Sequence, residues 1–268
     1  MTVQALYSAA TGMNALEQKL DVLANNLANV ETTGFKRDRA NFEDLFYRQE
    51  MLPGAEDSAG QYTPVGIHVG LGSRVSGVQI NFEQGAFRQT EYQLDVAIEG
   101  RGFFQVTDPA TGNTLYTRAG NLSINAEGSL VIGSAMTGRK LQPNISIPQD
   151  ATDIVISPEG KVSVRQPATT KLTQVGTIEL VSFINPEGLL KLGENLYAET
   201  DSSGPPRNGT PGQDGLGFLR QGALEASNVE PVAELIDLIT TQRAFELNSQ
   251  VLQAGDQILQ VVANLRRY

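Results

Sequence analysis

Both ends of this chain carry apolar residues at heptad spacing, and this pattern constrains the fold more than any other feature of the sequence. Steps of three and four residues alternate along the first stripe, which contains Leu6, Ala9, Met13, Leu16, Leu20, Leu23, Leu27 and Val30. Similar steps recur near the other end in Leu247, Val251, Ala254, Ile258, Val261 and Leu265, with Phe245, Leu252, Leu259 and Val262 widening the stripe. A helix of this kind is only marginally stable alone in water, so each stripe must be buried against a partner. We therefore predict two long terminal helices that pair with each other or dock on other chains.

Between the predicted helices, apolar residues alternate with a period of two, which is typical of half-buried strands. The alternating pairs are Val96 and Ile98, Phe104 and Val106, Leu122 and Ile124, Ile154 and Ile156, Val162 and Val164, and Ile178 and Leu180. Residues 125–128, 157–160 and 185–188 share one pattern, in which a turn former, an acid and a Gly follow an apolar residue. This pattern predicts type I turns closed by a G1 bulge. The predicted fold class is α+β, with long N- and C-terminal helices paired as a coiled-coil-like layer and a β-rich middle domain.

The composition removes most kinds of enzyme site. The chain has 30 acidic and 20 basic residues, and this net charge of −10 disfavours binding to nucleic-acid phosphates. The sequence contains no Cys and a single His, His68, which excludes thiolate zinc sites and His-rich metal sites. No Gly-rich loop has the context of a nucleotide-binding site, and we expect no cofactor. Carboxylate chemistry remains, with Asp95 and Glu99 as a candidate pair, although we favour structural roles for both.

Two rules bear on the location of the chain. The sequence has no stretch of about 18 apolar residues, so we expect no transmembrane helix and no direct membrane insertion. The first residues lack the basic and apolar regions of a secretory signal peptide. These rules alone predict a cytoplasmic protein.

Motifs spread over nearly the whole chain resemble those of the bacterial flagellar rod and hook protein family. The N-terminal motif is Ala24-Asn25-Asn26-Leu27-Ala28-Asn29-Val30-Glu31-Thr32-Thr33-Gly34-Phe35-Lys36. The central motifs cover residues 95–104 and 116–120, and the C-terminal motif covers residues 227–232, 242–246 and 248–249. The chain length, residues 42–47 and an insertion at residues 52–66 resemble the distal rod subunits of this family most closely. Hook proteins are usually much longer, and proximal rod proteins usually lack the insertion.

The resemblance implies a structural subunit without enzymatic activity. Distal rod subunits polymerise helically into a hollow, rigid drive shaft that transmits torque from motor to hook and forms part of the export channel. The implied partners are other copies of the chain, neighbouring rod and hook proteins, the periplasmic and outer-membrane ring bushings and the flagellar export apparatus. Such subunits are exported without a cleavable signal peptide. The resemblance therefore replaces the cytoplasmic prediction with the periplasm-spanning distal rod of the flagellar basal body.

The resemblance also gives expected roles to segments of the chain. Residues 1–35 are predicted to form an N-terminal assembly helix, and residues 227–268 a C-terminal assembly helix. Residues 71–226 are predicted to form a β-rich outer domain with a flexible Gly/Pro loop at 201–217. Residues 36–70 are a predicted linker with the rod-type insertion, which includes Pro53, Gly54 and Pro64. We expect the helices to remain mobile until assembly, and the insertion to pack against neighbouring subunits and stiffen the tube.

The residues predicted to carry assembly lie in and beside the terminal helices. On the N-terminal side they are Leu6, Met13, Leu16, Leu20, Leu23, Asn25, Asn26, Leu27, Asn29, Val30, Gly34 and Phe35. On the C-terminal side they are Asn228, Gln242, Arg243, Phe245, Leu247, Asn248, Val251, Ile258, Val261 and Leu265. The three N-terminal Asn residues are expected to bond to neighbouring chains and fix the register, or else to face solvent and end the helix. Gln242, Arg243 and Glu246 are expected to form an intersubunit polar cluster or a solvated face, and Gly34 to meet a backbone requirement.

Two other functions are compatible with the sequence. The first is another flagellar axial protein, such as a proximal rod or rod–hook junction subunit, against which the insertion and the chain length argue. The second and more remote is a carboxylate-based cell-wall glycan hydrolase. Such an enzyme requires two carboxyl groups about 5–10 Å apart in a cleft.

Overall fold

The computed structural model describes residues 2–54, 62, 64–133, 138–167 and 169–265. Helix α1 spans Thr2–Ala28 and helix α2 spans Pro231–Leu265. The strands between them are β1 (Asp38–Asp44), β2 (Tyr47–Met51), β3 (Ile67–Gly70), β4 (Ser73–Ile80), β5 (Phe87–Gln89), β6 (Val96–Glu99), β7 (Phe103–Thr107), β8 (Thr114–Thr117), β9 (Leu122–Ile124), β10 (Leu130–Gly133), β11 (Gly138–Gln142), β12 (Asp153–Ile156), β13 (Lys161–Gln166), β14 (Thr169–Thr177), β15 (Leu180–Ser182), β16 (Leu190–Gly193), β17 (Leu196–Ala198), β18 (Arg207–Gly209), β19 (Phe218–Gln221) and β20 (Ala223–Glu225). This order confirms the predicted helix, β-rich middle and helix.

The chain forms two compact units, each assembled from segments that are far apart in the sequence. Unit 1 consists of Met1–Ala28, Asp38–Ile80 and Glu230–Tyr268, and unit 2 consists of Asn29–Arg37 and Asn81–Val229. Residues 36–70, which the sequence presents as a linker with an insertion, contain strands β1 to β3. The loop expected at 201–217 contains strand β18. The division into four functional segments stays a prediction.

In unit 1 the two helices pack against each other and run antiparallel. Gly255 of α2 lies against Leu6 near the start of α1, and Asn248 lies against Gly12. At the other end of α1, Asn26 reaches Glu234 in the first turns of α2. The helices are thus partners within one chain, while coiled-coil packing stays a prediction. The remaining strands of the unit form two antiparallel ribbons, one of β1 with β4 and one of β2 with β3.

Unit 2 contains the β-rich core. Its largest sheet has the strand order β16-β17-β8-β7-β11-β10-β9, with β15 pairing with β7 and β18 pairing with β15. A second sheet has the order β12-β13-β14, and the pairs β19-β6 and β20-β5 complete the unit. The fully buried side chains of this core include Val96, Ile98, Phe104, Val106, Leu130, Leu141, Val162, Ile178 and Leu180. Most of the residues that alternate in the sequence therefore pack into one apolar cluster.

The structure confirms most of the predicted strands and two of the three predicted turns. Gly128 and Gly160 have φ angles of 80° and 83°, as the bulged turns require. The third turn differs, because Pro186–Gly188 forms a single 3₁₀ turn. Its preceding residue, Asn185, bonds through its backbone N–H to the Ser203 carbonyl and through its side chain to the Ser202 carbonyl. A neighbouring loop, rather than a paired strand, therefore holds this third turn.

Candidate functional site

Helix α2 has two apolar faces, and only one of them is packed among the described residues of unit 1. The packed face contains the buried residues Glu234 and Thr241 and the half-buried residues Leu238, Phe245, Asn248, Leu252, Gly255 and Leu259. Their positions advance in alternating steps of four and three, so they lie on one side of the helix. Phe245 and Asn248 of this face are among the residues predicted to carry assembly, whereas Leu252 and Leu259 were predicted only to widen the stripe.

The other face of α2 carries most of the predicted stripe, and it faces solvent. We call this face the outer stripe; it consists of Val232, Ile236, Ile239, Leu247, Val251, Ile258, Val261 and Leu265. Exposed fractions run from 48% at Val251 to 71% at Leu265. Exposed rows of aliphatic side chains are typical of interaction surfaces.

The predicted stripe of α1 is turned toward its own unit. Ala9 and Leu23 are buried, and Leu6, Met13, Leu16, Leu20 and Leu27 are half-buried. Val30, which follows the helix in unit 2, is also half-buried. The two predicted stripes therefore differ in burial. The stripe of α1 is buried or half-buried, whereas the outer stripe of α2 is exposed.

Asn26 joins three segments of unit 1 through its buried side chain. Its Nδ2 donates to the Asp38 carbonyl at 2.8 Å, and its Oδ1 accepts from the Asp38 N–H at 2.9 Å. The same Nδ2 lies 3.4 Å from Oε2 of Glu234, which is also buried. The side chain thus acts like an extra peptide group that ties α1 to the start of β1 and to α2. These bonds are within the chain, whereas the sequence suggested bonds to neighbouring chains.

The other two Asn residues of the motif are placed differently. Asn25 is exposed, and Asn29 is half-buried and accepts a hydrogen bond at its Oδ1 from the Thr32 hydroxyl. Asn29 thus supports the turn that follows α1. A role for Asn25 in assembly stays a prediction.

A buried cluster of charges in unit 2 centres on Glu225 of β20, which is 1% exposed. Its Oε1 accepts from the Lys36 ammonium at 2.7 Å and from the Gly85 N–H at 3.1 Å. Its Oε2 accepts from Nε of Arg118 at 3.0 Å. Lys36 also donates to the Glu83 carbonyl at 2.6 Å. We call Lys36, Arg118 and Glu225 the buried triad.

The buried triad contains two cations and one carboxylate. Arg118 places a second nitrogen, Nη1, 2.9 Å from the carbonyls of both Gly100 and Gly102. Burial and the neighbouring Arg118 charge lower the pKa of Lys36 from its ordinary 10.5 to about 8, although Glu225 opposes this shift. Glu225 is therefore the sole counter-charge in a triad with an excess of positive charge.

Backbone contacts place Gly34 beside the buried triad. Its N–H donates to the Glu225 carbonyl at 2.8 Å, and its φ angle is 70°. A Cβ at this position would lie 3.0 Å from the Ala119 nitrogen and from the Arg118 carbonyl carbon. A side chain here would be both strained and crowded.

Asn228 joins three further segments of unit 2. Its Oδ1 accepts from the Arg37 N–H at 2.7 Å, and its Nδ2 donates to the carbonyls of Asn81 at 2.9 Å and Glu83 at 3.1 Å. The Asn81 N–H in turn donates to the Arg37 carbonyl at 2.8 Å. Residues 37, 81 and 228, at which the chain is close to leaving or entering the unit, are thus held together.

The hairpin of β16 and β17 holds the segment that follows α1. Asn195, in the turn of the hairpin, donates to the Thr33 carbonyl at 2.9 Å. Lys191 donates to the Lys36 carbonyl at 3.3 Å, and its ammonium lies 4.9 Å from the centre of the Phe35 ring. Phe35 itself is buried.

The remaining predicted residues lie on exposed parts of the chain. Gln242 and Arg243 of α2 are exposed, as is Glu246. Pro53, Gly54 and Pro64 of the predicted insertion are also exposed, whereas residues 55–61 and 63 lie outside the described residues. Their roles in assembly stay predictions.

Sequence reasoning missed the buried charges, namely Lys36, Arg118, Glu225 and Glu234. Lys36 and Arg118 lie inside the family motifs, and Glu225 lies two residues before the C-terminal motif. A single charged residue within an apolar or small-residue segment, as in Ala223-Leu224-Glu225-Ala226, was the available signal. That signal gives no partner, because the three charges are more than 80 residues apart.

The two carboxylates considered as a catalytic pair lie at opposite ends of β6. Asp95 is buried beside the start of β6, and Glu99 is exposed at its end. Among the described residues, no group of three or more His, Cys, Asp or Glu side chains could hold a metal ion. Neither helix within those residues is long and apolar enough to span a bilayer.

Models of known protein families match the segments of the chain that carry the buried triad. The chain is similar to three family models: "Flagella basal body rod protein" at residues 6–36, "Flagellar hook protein FlgE/F/G D1 domain" at residues 97–164 and "Flagellar basal body rod FlgEFG protein C-terminal" at residues 220–265. Lys36, Arg118 and Glu225 each fall in a different one of these segments.

Relatives that match over nearly the whole of this chain are also flagellar basal-body rod proteins. The chain is 44% identical over 262 residues to the flagellar basal-body rod protein FlgG of Agrobacterium fabrum, covering 97% of this chain and 98% of the relative. It is 44% identical over 265 residues to FlgG of Caulobacter vibrioides, covering 98% of this chain and all of the relative. It is 42% identical over 267 residues to FlgG of Borreliella burgdorferi, covering 99% of each chain.

Proposed function

The chain belongs to the flagellar basal-body rod protein family and is a structural rod subunit of the basal body, and on this premise we propose that it polymerises helically into the distal rod. In this proposal the polymer is a hollow, rigid drive shaft that transmits torque from motor to hook and forms part of the export channel. The terminal helices supply the inner layer, and the β-rich unit supplies the outer layer.

The exposed outer stripe of α2 is the observation that carries this proposal. Its eight aliphatic side chains are about half exposed or more, along a helix of 35 residues. Together they offer on the order of 800 Å², which is close to one partner's share of a standard interface. Burying that area gains on the order of 20 kcal/mol before the costs of association are subtracted.

We propose that this surface builds a polymer rather than a closed dimer. The outer stripe belongs to one helix, and the other face of that helix is already packed in unit 1. A neighbouring copy that covers the stripe with a different part of its own surface makes a head-to-tail contact. Head-to-tail contacts that do not close into a ring generate helical filaments.

We extend the proposal to location and partners. Family membership supports a place in the flagellar basal body among other axial proteins. The finer proposal is a rod that crosses the periplasm within the ring bushings, adjoins other rod and hook proteins, and receives its subunits through the flagellar export apparatus. The absence of Cys fits this route, since no disulfide has to form after passage.

A charge placed on the outer stripe tests the proposal. In the Ile258→Asp variant, a carboxylate would have to be buried on assembly, so the critical concentration for polymerisation should rise at least tenfold. The control is Gln253→Asp, because Gln253 is exposed on the same helix and lies about 120° from both faces. Sedimentation and negative-stain electron microscopy measure the polymer, and circular dichroism checks the fold. Equal assembly of the two variants would contradict the proposal.

A further inference from the structure

Glu225 receives hydrogen bonds from residues that precede it by very different distances along the chain. Lys36 lies 189 residues before it, Gly85 lies 140 residues before it, and Arg118 lies 107 residues before it. Every one of these partners is synthesised earlier than Glu225. The carboxylate is thus the last component of the buried triad to become available.

Burial of Lys36 and Arg118 beside each other is unfavourable without Glu225. The bonds that Lys36 and Arg118 make to other parts of the chain go to the neutral carbonyls of Glu83, Gly100 and Gly102. Burying two cations with no counter-charge costs several kcal/mol for each ion. The three segments that carry Lys36, Gly85 and Arg118 therefore gain little by coming together before β20 arrives.

The segment that carries Glu225 also supplies structural contacts. Strand β20 pairs with β5, and β19 pairs with β6, in antiparallel register. Just beyond β20, the Ala226 N–H donates to the Ala86 carbonyl, and Asn228 bonds to Arg37, Asn81 and Glu83. Contacts of such long sequence separation carry the largest loop-closure cost and are expected to form late in folding.

We propose that Glu225 is the closing residue of unit 2, whose carboxylate completes the fold by neutralising Lys36 and Arg118 after the rest of the β core has formed. The unit then cannot close on a partial chain, because its last component lies near the C-terminal end of the sequence. This device goes beyond the rod function and holds whether or not the chain polymerises. For a subunit that passes through a narrow channel, it would delay the compact state until nearly the whole chain is present.

Folding kinetics of the full-length protein test the proposal. Near-UV circular dichroism reports on unit 2 through its buried Tyr116 and Tyr197. The Glu225→Gln variant should unfold at least 100-fold faster than the parent and fold at a rate within twofold of it, because a late contact is absent from the transition state. The control is Glu99→Gln, an exposed carboxylate of the same unit, which should leave both rates unchanged.

A triple variant keeps the proposal falsifiable if Glu225→Gln does not fold. The change Lys36→Met with Arg118→Met and Glu225→Leu removes all three charges and keeps apolar side chains of similar length. It should restore the near-UV spectrum, because no buried cation then needs a counter-charge. The proposal is overturned if the triple variant also fails to fold. It is equally overturned if Glu225→Gln slows folding in proportion to its loss of stability, or changes neither rate.

Discussion

Unit 2 and helix α2 place their apolar side chains in opposite ways. In unit 2, residues such as Ile98, Phe104 and Val106 are fully shielded from solvent. In α2, residues of the same kind form an outer stripe in which Ile258 is half exposed and Leu265 more so. The comparison indicates that unit 2 buries its core within one chain, whereas α2 leaves one apolar face exposed, which the proposed polymer would cover.

The largest expected effect tests the closed interior of unit 2. Glu225→Gln leaves two buried cations without a counter-charge and should lower the free energy of unfolding by about 3–5 kcal/mol. Lys36→Met leaves the Arg118–Glu225 pair intact and should cost less than about 2 kcal/mol. Denaturant unfolding measures both values. Equal losses in the two variants would show that the triad is not organised around Glu225.

The same Ile→Ala substitution at a buried and at an exposed position tests the comparison of unit 2 with α2. Ile98→Ala opens a cavity in the core of unit 2 and should cost about 2–5 kcal/mol. Ile258→Ala removes an exposed side chain of α2 and should change the stability of the monomer by less than about 0.5 kcal/mol. Thermal and denaturant unfolding of dilute monomer measure both. A large loss at Ile258 would mean that the outer stripe is already covered in the monomer.

The pH dependence of stability sharpens the account of the buried triad. Below about pH 8, Lys36 is protonated in both the folded and the unfolded chain, and the folded state bears the cost of the buried charge. Between about pH 8 and 10.5 the folded chain loses this proton while the unfolded chain keeps it, so the free energy of unfolding should rise with pH. The rise is on the order of 3 kcal/mol at most. Comparison with Lys36→Met isolates it, because the variant should lack this contribution.

The smallest expected effect is the difference in stability loss between alanine substitutions at two glycines with similar φ angles. Gly34 and Gly54 have φ angles of 70° and 80°, so Ala is strained at both positions. At Gly34 the new Cβ would meet neighbouring backbone, whereas no atom of the described residues lies within 4 Å of a Cβ at Gly54. Gly34→Ala should cost about 2 kcal/mol and Gly54→Ala about 1 kcal/mol or less, measured by thermal unfolding. A larger loss at Gly54 than at Gly34 would contradict the expected role of backbone crowding at Gly34.

Periodicity in the sequence predicted the elements of the fold but not their faces. The period of two located the strands of unit 2, because Val96, Ile98, Phe104 and Val106 bury their side chains within a sheet. The heptad steps located α2 and also predicted which residues form its stripe. They could not show that Phe245, Leu252 and Leu259 pack inside the chain while Leu247 and Val251 face solvent, because two apolar rows share the same spacing.

The buried polar contacts could not be predicted from the sequence. Asn26 was recognised as part of a motif, but its bonds to Asp38 depend on where β1 begins. Lys36, Arg118 and Glu225 meet only because three segments of unit 2 converge. Local spacing carries no information about such contacts, because their geometry is set by the tertiary fold.

Cysteine labelling of the outer stripe tests most directly the claim that assembly covers α2. The chain has no Cys, so a single Cys at position 258 is the only thiol, and its reaction with a maleimide reports its exposure. A Cys at the exposed position Ala126, in a turn of unit 2, serves as the comparison. Labelling of both sites should be rapid in the monomer, and labelling of Ile258→Cys should be at least tenfold slower in the polymer. Equally fast labelling of Ile258→Cys in monomer and polymer would contradict the claim.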